Sequence, residues 1–201
     1  MRGLFVTGTD TGVGKTFVSC ALIRAARARG LRVFAFKPIE TGCVGAGDDQ
    51  RALAEAAGDD VPRGTYSFAL AAAPWVAAEQ AGVELRLERI EEDLRTGVST
   101  ADRVLVEAAG GWRVPVTRTY DTSELARRIG LPVLVVARGG LGTINHTLLT
   151  IEAIRHDGLE IFGVVLSARP DDDPDFVRSN ARQIHDRSGI SPHVWPTIPT
   201  L

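Results

Sequence analysis

Nine consecutive residues, Gly8-Thr9-Asp10-Thr11-Gly12-Val13-Gly14-Lys15-Thr16, have the types and spacing that hold a phosphate chain. Small residues let successive backbone N–H groups turn inward on an anion, and the helix start that follows adds partial positive charge. Lys15 has the reach for the outer phosphates, and the Thr16 hydroxyl is a hard oxygen suited to Mg²⁺. Gly8 and Gly14 have five residues between them. The common phosphate loop has four there, so a loop longer by about one residue is expected.

A second cation stands out by elimination. Of the 23 basic residues, only Lys15 and Lys37 are lysine. A compact ammonium and a planar guanidinium are not interchangeable against a phosphate or a small anion, which marks Lys37 as a candidate functional group. It opens the run Lys37-Pro38-Ile39-Glu40-Thr41-Gly42 at the end of an apolar segment. Asp48 and Asp49 follow a glycine-rich turn; either they cap a helix alone, or one of them turns to a metal. Glu107 ends the apolar run Val104-Leu105-Val106 and precedes Ala108-Ala109-Gly110-Gly111-Trp112. A carboxylate at the tip of a buried strand beside a phosphate loop suits a Mg²⁺ that bridges phosphates. Gly139-Gly140-Leu141-Gly142-Thr143 is a second glycine-rich turn into a helix, hence a second candidate anion site. His146 reads as an ordinary helix residue, and Cys20 and Cys43 have no metal or redox spacing.

The elements that must position these groups alternate. Strands are expected over residues 4–6, 31–36, 103–107, 131–137, 161–166 and 193–195, with helices over 17–29, 48–57, 75–80, 85–95, 122–129, 144–155 and 175–187. Residues 66–74 read as irregular. Such alternation predicts an α/β fold with a doubly wound, mainly parallel sheet, and ligands at the carboxyl ends of its strands. The 201 residues suit one domain. A composition of 44% hydrophobic and 24% charged residues suits a packed core, and a net charge of −2 supports neither a nucleic-acid nor a membrane-surface partner. No run approaches a membrane span and no leader precedes Leu4, so the expected setting is the cytoplasm.

These motifs together resemble the dethiobiotin synthetase family over nearly the whole chain. The residues that carry the resemblance are the loop Gly8-Thr9-Asp10-Thr11 with Gly14-Lys15-Thr16, Lys37-Pro38 with Thr41-Gly42, Asp49, the strand ending in Glu107 with Gly110-Gly111-Trp112, and Leu141-Gly142-Thr143-Ile144-Asn145-His146. The longer loop is itself typical of that family. The resemblance implies closure of a cyclic urea on 7,8-diaminopelargonate from CO₂ and ATP with Mg²⁺, through a carbamate and a carbamic–phosphoric anhydride. It implies catalytic roles for Lys15 and Lys37, and metal ligation by Thr16, Asp49 and Glu107. Nucleotide contacts are implied for Gly12, Val13, Gly14, Lys15, Thr16 and Phe17; for Ala108, Ala109 and Gly110; for Ser167 and Ala168; and for Pro199, Thr200 and Leu201. Thr11, Lys37 and Thr41 would meet the diamine or carbamate. A homodimer is implied, in which Leu141, Gly142, Thr143 and Asn145 of a neighbouring subunit receive the substrate's carboxylate tail.

The chain departs from the family pattern at several places. Ala108 stands where glycine is usual, Ala73-Pro74-Trp75 replaces Ser-Pro-His, and Ser167 replaces the asparagine that reads adenine. A serine has one hydroxyl where asparagine has a paired donor and acceptor, so relaxed base selectivity is expected. Two other readings compete. One is the synthetase domain of a cobyrinic-acid amidotransferase, which carries a glutamine-hydrolysing domain with a nucleophilic cysteine. The other is a dimerising partition-type ATPase switch, whose loop carries an early lysine. Here no lysine precedes Lys15.

Overall fold

The computed structural model describes residues 2–195. Six strands form one sheet in the order β2-β5-β1-β6-β7-β8, and all its described pairings are parallel. They are β1 (Gly3–Gly8), β2 (Val33–Phe36), β5 (Arg103–Gly111), β6 (Val133–Arg138), β7 (Ile161–Ser167) and β8 (His193–Trp195). A separate two-stranded parallel pair joins β3 (Ile39–Thr41) to β4 (Tyr66–Phe68).

The period-two alternation of the strands splits the core between two faces. Phe5, Phe36, Val104, Val106, Val135 and Leu166 pack on one face, against helices α4 (Leu87–Gly97), α5 (Thr122–Ile129), α6 (Thr143–His156) and α7 (Pro174–Ser188). Val6, Ala35, Leu105, Leu134, Val136 and Val165 pack on the other, against α1 (Lys15–Arg27) and α2 (Asp48–Ala57). Helices thus cover both sheet faces, as the alternating sequence leads one to expect. The remaining helix, α3 (Pro74–Gln80), starts with proline in its first turn, where a missing N–H costs nothing.

Three differences from expectation have local causes. Residues 66–68 are not irregular: Tyr66 and Phe68 bury one face of a short strand whose partner is Ile39–Thr41. Two three-residue strands lack the length to announce themselves by pattern. Asp48 and Asp49 do not cap α2. The N-cap is Gly47, and both acids lie in the first turn. Finally, β5 runs past Glu107 to Gly111, so the glycines continue the strand.

The strand order matters most for the site. β5 lies between β2 and β1, with Phe36 beside Val106 and Val6 beside Glu107. Lys37, one residue past β2, is therefore level with Glu107, and the loop that follows β1 opens on Glu107's other side.

Candidate functional site

The loop after β1 is built by backbone conformation. Gly14, the N-cap of α1, has φ 95°, a left-handed value that strains a residue with a Cβ. A Cβ there would also stand 2.5 Å from the Ser167 hydroxyl. The loop is tied to the sheet by Thr9 N–H donating to the Val136 carbonyl at 2.9 Å. Lys15 Nζ folds back to donate to the Asp10 carbonyl at 3.0 Å. Asp10 in turn pairs with Arg138 at 3.0 Å, anchoring the loop to the end of β6.

Lys37 Nζ lies 2.7 Å from Glu107 Oε1 and 3.0 Å from Asp49 Oδ2. The Thr16 hydroxyl donates to the same Glu107 oxygen at 2.8 Å. Lys37 and Glu107 are buried, at 4% and 0% exposure, which makes this a desolvated ion pair. Burial pushes the Lys37 ammonium down, yet the charges of Glu107 and Asp49 outweigh it and the net direction is up. For Asp49, burial pushes up, and the Lys37 charge and hydrogen bond carry the carboxyl below its usual range. Lys15 goes the other way. Burial first, and then the neighbouring Lys37 charge, bring its pKa down to about 8.

Lys15, Thr16, Lys37 and Asp49 open on one cleft of ≈ 520 Å³, while Glu107 lies behind its wall, fully buried and touching Lys37 and Thr16. Gly12, Gly14, Lys15, Thr16 and Phe17 line it from the loop and α1; Thr11, Lys37, Thr41, Asp49, Ala109 and Gly110 complete the expected set. Other expected residues lie elsewhere. Ala108 packs into the core, as does the side chain of Val13. Ser167 touches the loop at Gly14 without lining the cleft, and Ala168 packs against Gly139. Leu141, Gly142, Thr143 and Asn145 are not on this cleft. The Thr143 side chain points inward, 1% exposed, with its hydroxyl 3.3 Å from that of Thr147. Pro199, Thr200 and Leu201 lie outside the described residues.

Sequence reasoning missed two anchors. Glu40, buried on β3, accepts N–H hydrogen bonds from Asp49 at 3.0 Å and Gln50 at 2.9 Å. Trp112 Nε1 donates to Asp157 at 2.7 Å, and Arg113 pairs with the same carboxylate, tying the end of β5 to the residue after α6. Only the unusual density of glycine around Glu40 hinted at the first.

Among the described residues no three acidic, histidine or cysteine side chains converge on a metal position. The donor set is two carboxylates and a hydroxyl. That set fits Mg²⁺, which keeps several waters and takes phosphate oxygens to complete its octahedron. Glu107 Oε2 is buried without a hydrogen-bond partner, an oxygen with unused acceptor capacity in this position.

Residues 2–200 match the family model described as an AAA domain. The chain is 51% identical over 189 residues to the ATP-dependent dethiobiotin synthetase BioD of Anaeromyxobacter dehalogenans (strain 2CP-C), covering 92% of this chain and 84% of the relative. The chain belongs to the dethiobiotin synthetase family. A second such synthetase, from Aquifex aeolicus (strain VF5), is 38% identical, with 97% and 89% covered. Chloroplast FtsY from Physcomitrella patens aligns with a TM-score of 0.50 at 20% identity, over 96% of this chain and 57% of that one, a likeness of fold alone. In this synthetase both lysines line one cleft.

Proposed function

We propose that the chain closes a cyclic urea on 7,8-diaminopelargonate with CO₂ and ATP, forming dethiobiotin. The observation that carries this reading is the meeting of Lys15, Lys37 and Asp49 at one cleft, with Glu107 buried behind Lys37, in a chain 51% identical to an enzyme of that name. No side chain here needs to act as a nucleophile, because the diamine supplies both nitrogens. One amine adds to CO₂ and loses a proton, giving a carbamate. The carbamate oxygen attacks the γ-phosphorus of ATP and ADP leaves. The second amine then attacks the carbamoyl carbon and expels phosphate.

The protein's task is to hold mutually repelling anions in line and to neutralise moving charge. The loop N–H groups and Lys15 hold the phosphates. Lys37 faces the carbamate and the transferring phosphoryl group, its charge secured by Glu107 and Asp49. Thr16, Asp49 and Glu107 would hold Mg²⁺, which would supply positive charge to offset that of the phosphates. Thr11 and Thr41, on the same cleft, supply hydrogen bonds to the diamine end.

The tail of the diamine is held by Leu141, Gly142, Thr143 and Asn145 of a second subunit in a homodimer. Support comes from α6: Asn145 and Leu149 share one face four residues apart, both exposed, and Leu141 just before the helix is 87% exposed. These residues open on no part of their own chain's cleft. A single synthetase domain over residues 1–201 fits this reading, and the six-stranded sheet with the small β3–β4 pair beside it within residues 2–195 supports it. No described helix is long and apolar enough to cross a membrane. The deciding experiment mixes purified protein with diaminopelargonate, bicarbonate and Mg-ATP and assays for the cyclic urea. ATP turnover that ignores the diamine but rises with DNA or lipid would favour the partition-type switch instead.

A further inference from the structure

We propose that Glu40 is a positioning residue for the Lys37–Asp49 pair, holding the start of α2 so that the Asp49 carboxylate faces the cleft. The proposal rests on the reading of Asp49 and Lys37 as site residues. An α-helix start leaves its first N–H groups without partners, and the N-cap side chain ordinarily accepts from the second or third of them. In α2 the N-cap is Gly47, which has no side chain to offer. Glu40 takes over from another strand: Oε1 accepts from Asp49 N–H at 3.0 Å and Oε2 from Gln50 N–H at 2.9 Å. Its charge also suits the positive end of the helix.

Three further contacts make this a unit. A Cβ on Gly47 would stand 1.9 Å from Glu40 Oε1, so the Glu40 carboxylate occupies the space of a local cap. Gln50 Oε1 accepts from Gly47 N–H at 3.3 Å, while Gln50 Nε2 donates to the Lys37 carbonyl at 3.1 Å. The Ser67 hydroxyl, from β4, reaches the same Gln50 oxygen at 3.3 Å. The Gln50 amide thus joins the Lys37 backbone to Gly47, the N-cap of α2, and the Lys37 and Asp49 side chains meet at 3.0 Å. Glu40 borders the cleft, but an amide N–H engages each of its oxygens, so it is set apart from the metal donors.

The test uses the full chain and Mn²⁺ as probe, read by electron paramagnetic resonance with a non-hydrolysable ATP analogue present. Glu40→Ala is expected to weaken Mn²⁺ binding about tenfold, in the range seen when a ligand's hydrogen-bonded support is removed. It should approach the effect of Asp49→Ala and leave the helical circular dichroism unchanged. Adding Gly47→Ser to Glu40→Ala supplies a local cap in the space the carboxylate vacated, and is expected to restore binding to within about twofold of the parent. Mn²⁺ affinity within about twofold of the parent in Glu40→Ala would overturn the proposal, as would a folded double variant with no recovery. If Glu40→Ala does not fold, Glu40→Gln, which keeps one acceptor oxygen, replaces it. An intermediate loss then supports the proposal, and parental affinity overturns it. An Asp49→Ala variant with parental Mn²⁺ affinity would instead overturn the metal role of Asp49. A parent that binds Mn²⁺ yet forms no cyclic urea would overturn the proposed reaction and leave the Glu40 comparison standing.

Discussion

Lys37 Nζ, one residue past the end of β2, and Glu107 Oε1, midway along β5, lie 2.7 Å apart, and both side chains are buried. The two residues are 70 positions apart in the chain. A charge pair this buried is held by its geometry, because removing either partner strands the other in a low-dielectric setting. The same two carboxylates that secure Lys37 are the proposed donors to a divalent cation, so in that reading ammonium and metal draw on shared oxygens.

Lys37→Ala is expected to lower ring closure by at least about 100-fold, the scale for loss of one preorganised charge-stabilising group. ATP binding should stay within about threefold, since Lys15 and the loop remain. The stranded carboxylates should cost about 3–5 kcal/mol of stability without divalent cation. Thermal melts should then show a larger Mg²⁺-induced rise in Tm for the variant than for the parent. Near-normal turnover would remove Lys37 from the chemistry, and equal Mg²⁺ responses would show that the two cations do not compete.

Lys15 gives nucleotide binding a pH signature. Its pKa falls from 10.5 in the unfolded chain to about 8 when folded, chiefly through burial. Between these values the unfolded chain binds more protons, so this group's effect on stability rises with pH through that window. A bound phosphate reverses the shift by favouring the charged amine. Above pH 8 nucleotide binding should therefore take up a proton, with affinity falling by up to about tenfold per pH unit. Calorimetry in buffers of different ionisation enthalpy measures the uptake directly; none at pH 9 would contradict it.

Asn145 is the better probe of the intersubunit tail site, because the Thr143 side chain is turned into the core and its loss would disturb packing. Asn145→Ala is expected to raise KM for the diamine about tenfold, as for loss of a hydrogen bond to a charged group, with KM for ATP changed less than about twofold. Leu149→Asp should shift the protein toward monomer in sedimentation and reduce turnover in parallel. Equal effects of Asn145→Ala on both substrates would argue against a tail site there.

Base choice is the test of the proposed Ser167 contact. Its hydroxyl abuts Gly14 and offers one group where a paired donor and acceptor would discriminate. Turnover with ATP, GTP and CTP at saturating diamine is expected to agree within about tenfold, since much larger discrimination needs a well-made polar pair. Strict dependence on ATP would show that other residues read the base.

Much of this protein is legible locally. The phosphate loop, the two lysines, the acid after an apolar run and the helix over Thr122–Ile129 follow from spacing and periodicity, because each depends on neighbours a few residues away. Asp49 could be named as a candidate, but its partner could not. That Lys37 meets Glu107 depends on β5 inserting between β1 and β2, a pairing between segments about 70 residues apart with no local signature. The same holds for Glu40. Its residue type suggests an exposed acid, and only the parallel pairing of β3 with β4 and the packing of α2 make it a helix cap. Local pattern determined which groups could do chemistry; non-local strand order decided which of them share a cleft, because sheet register is an agreement among distant segments that no single segment encodes.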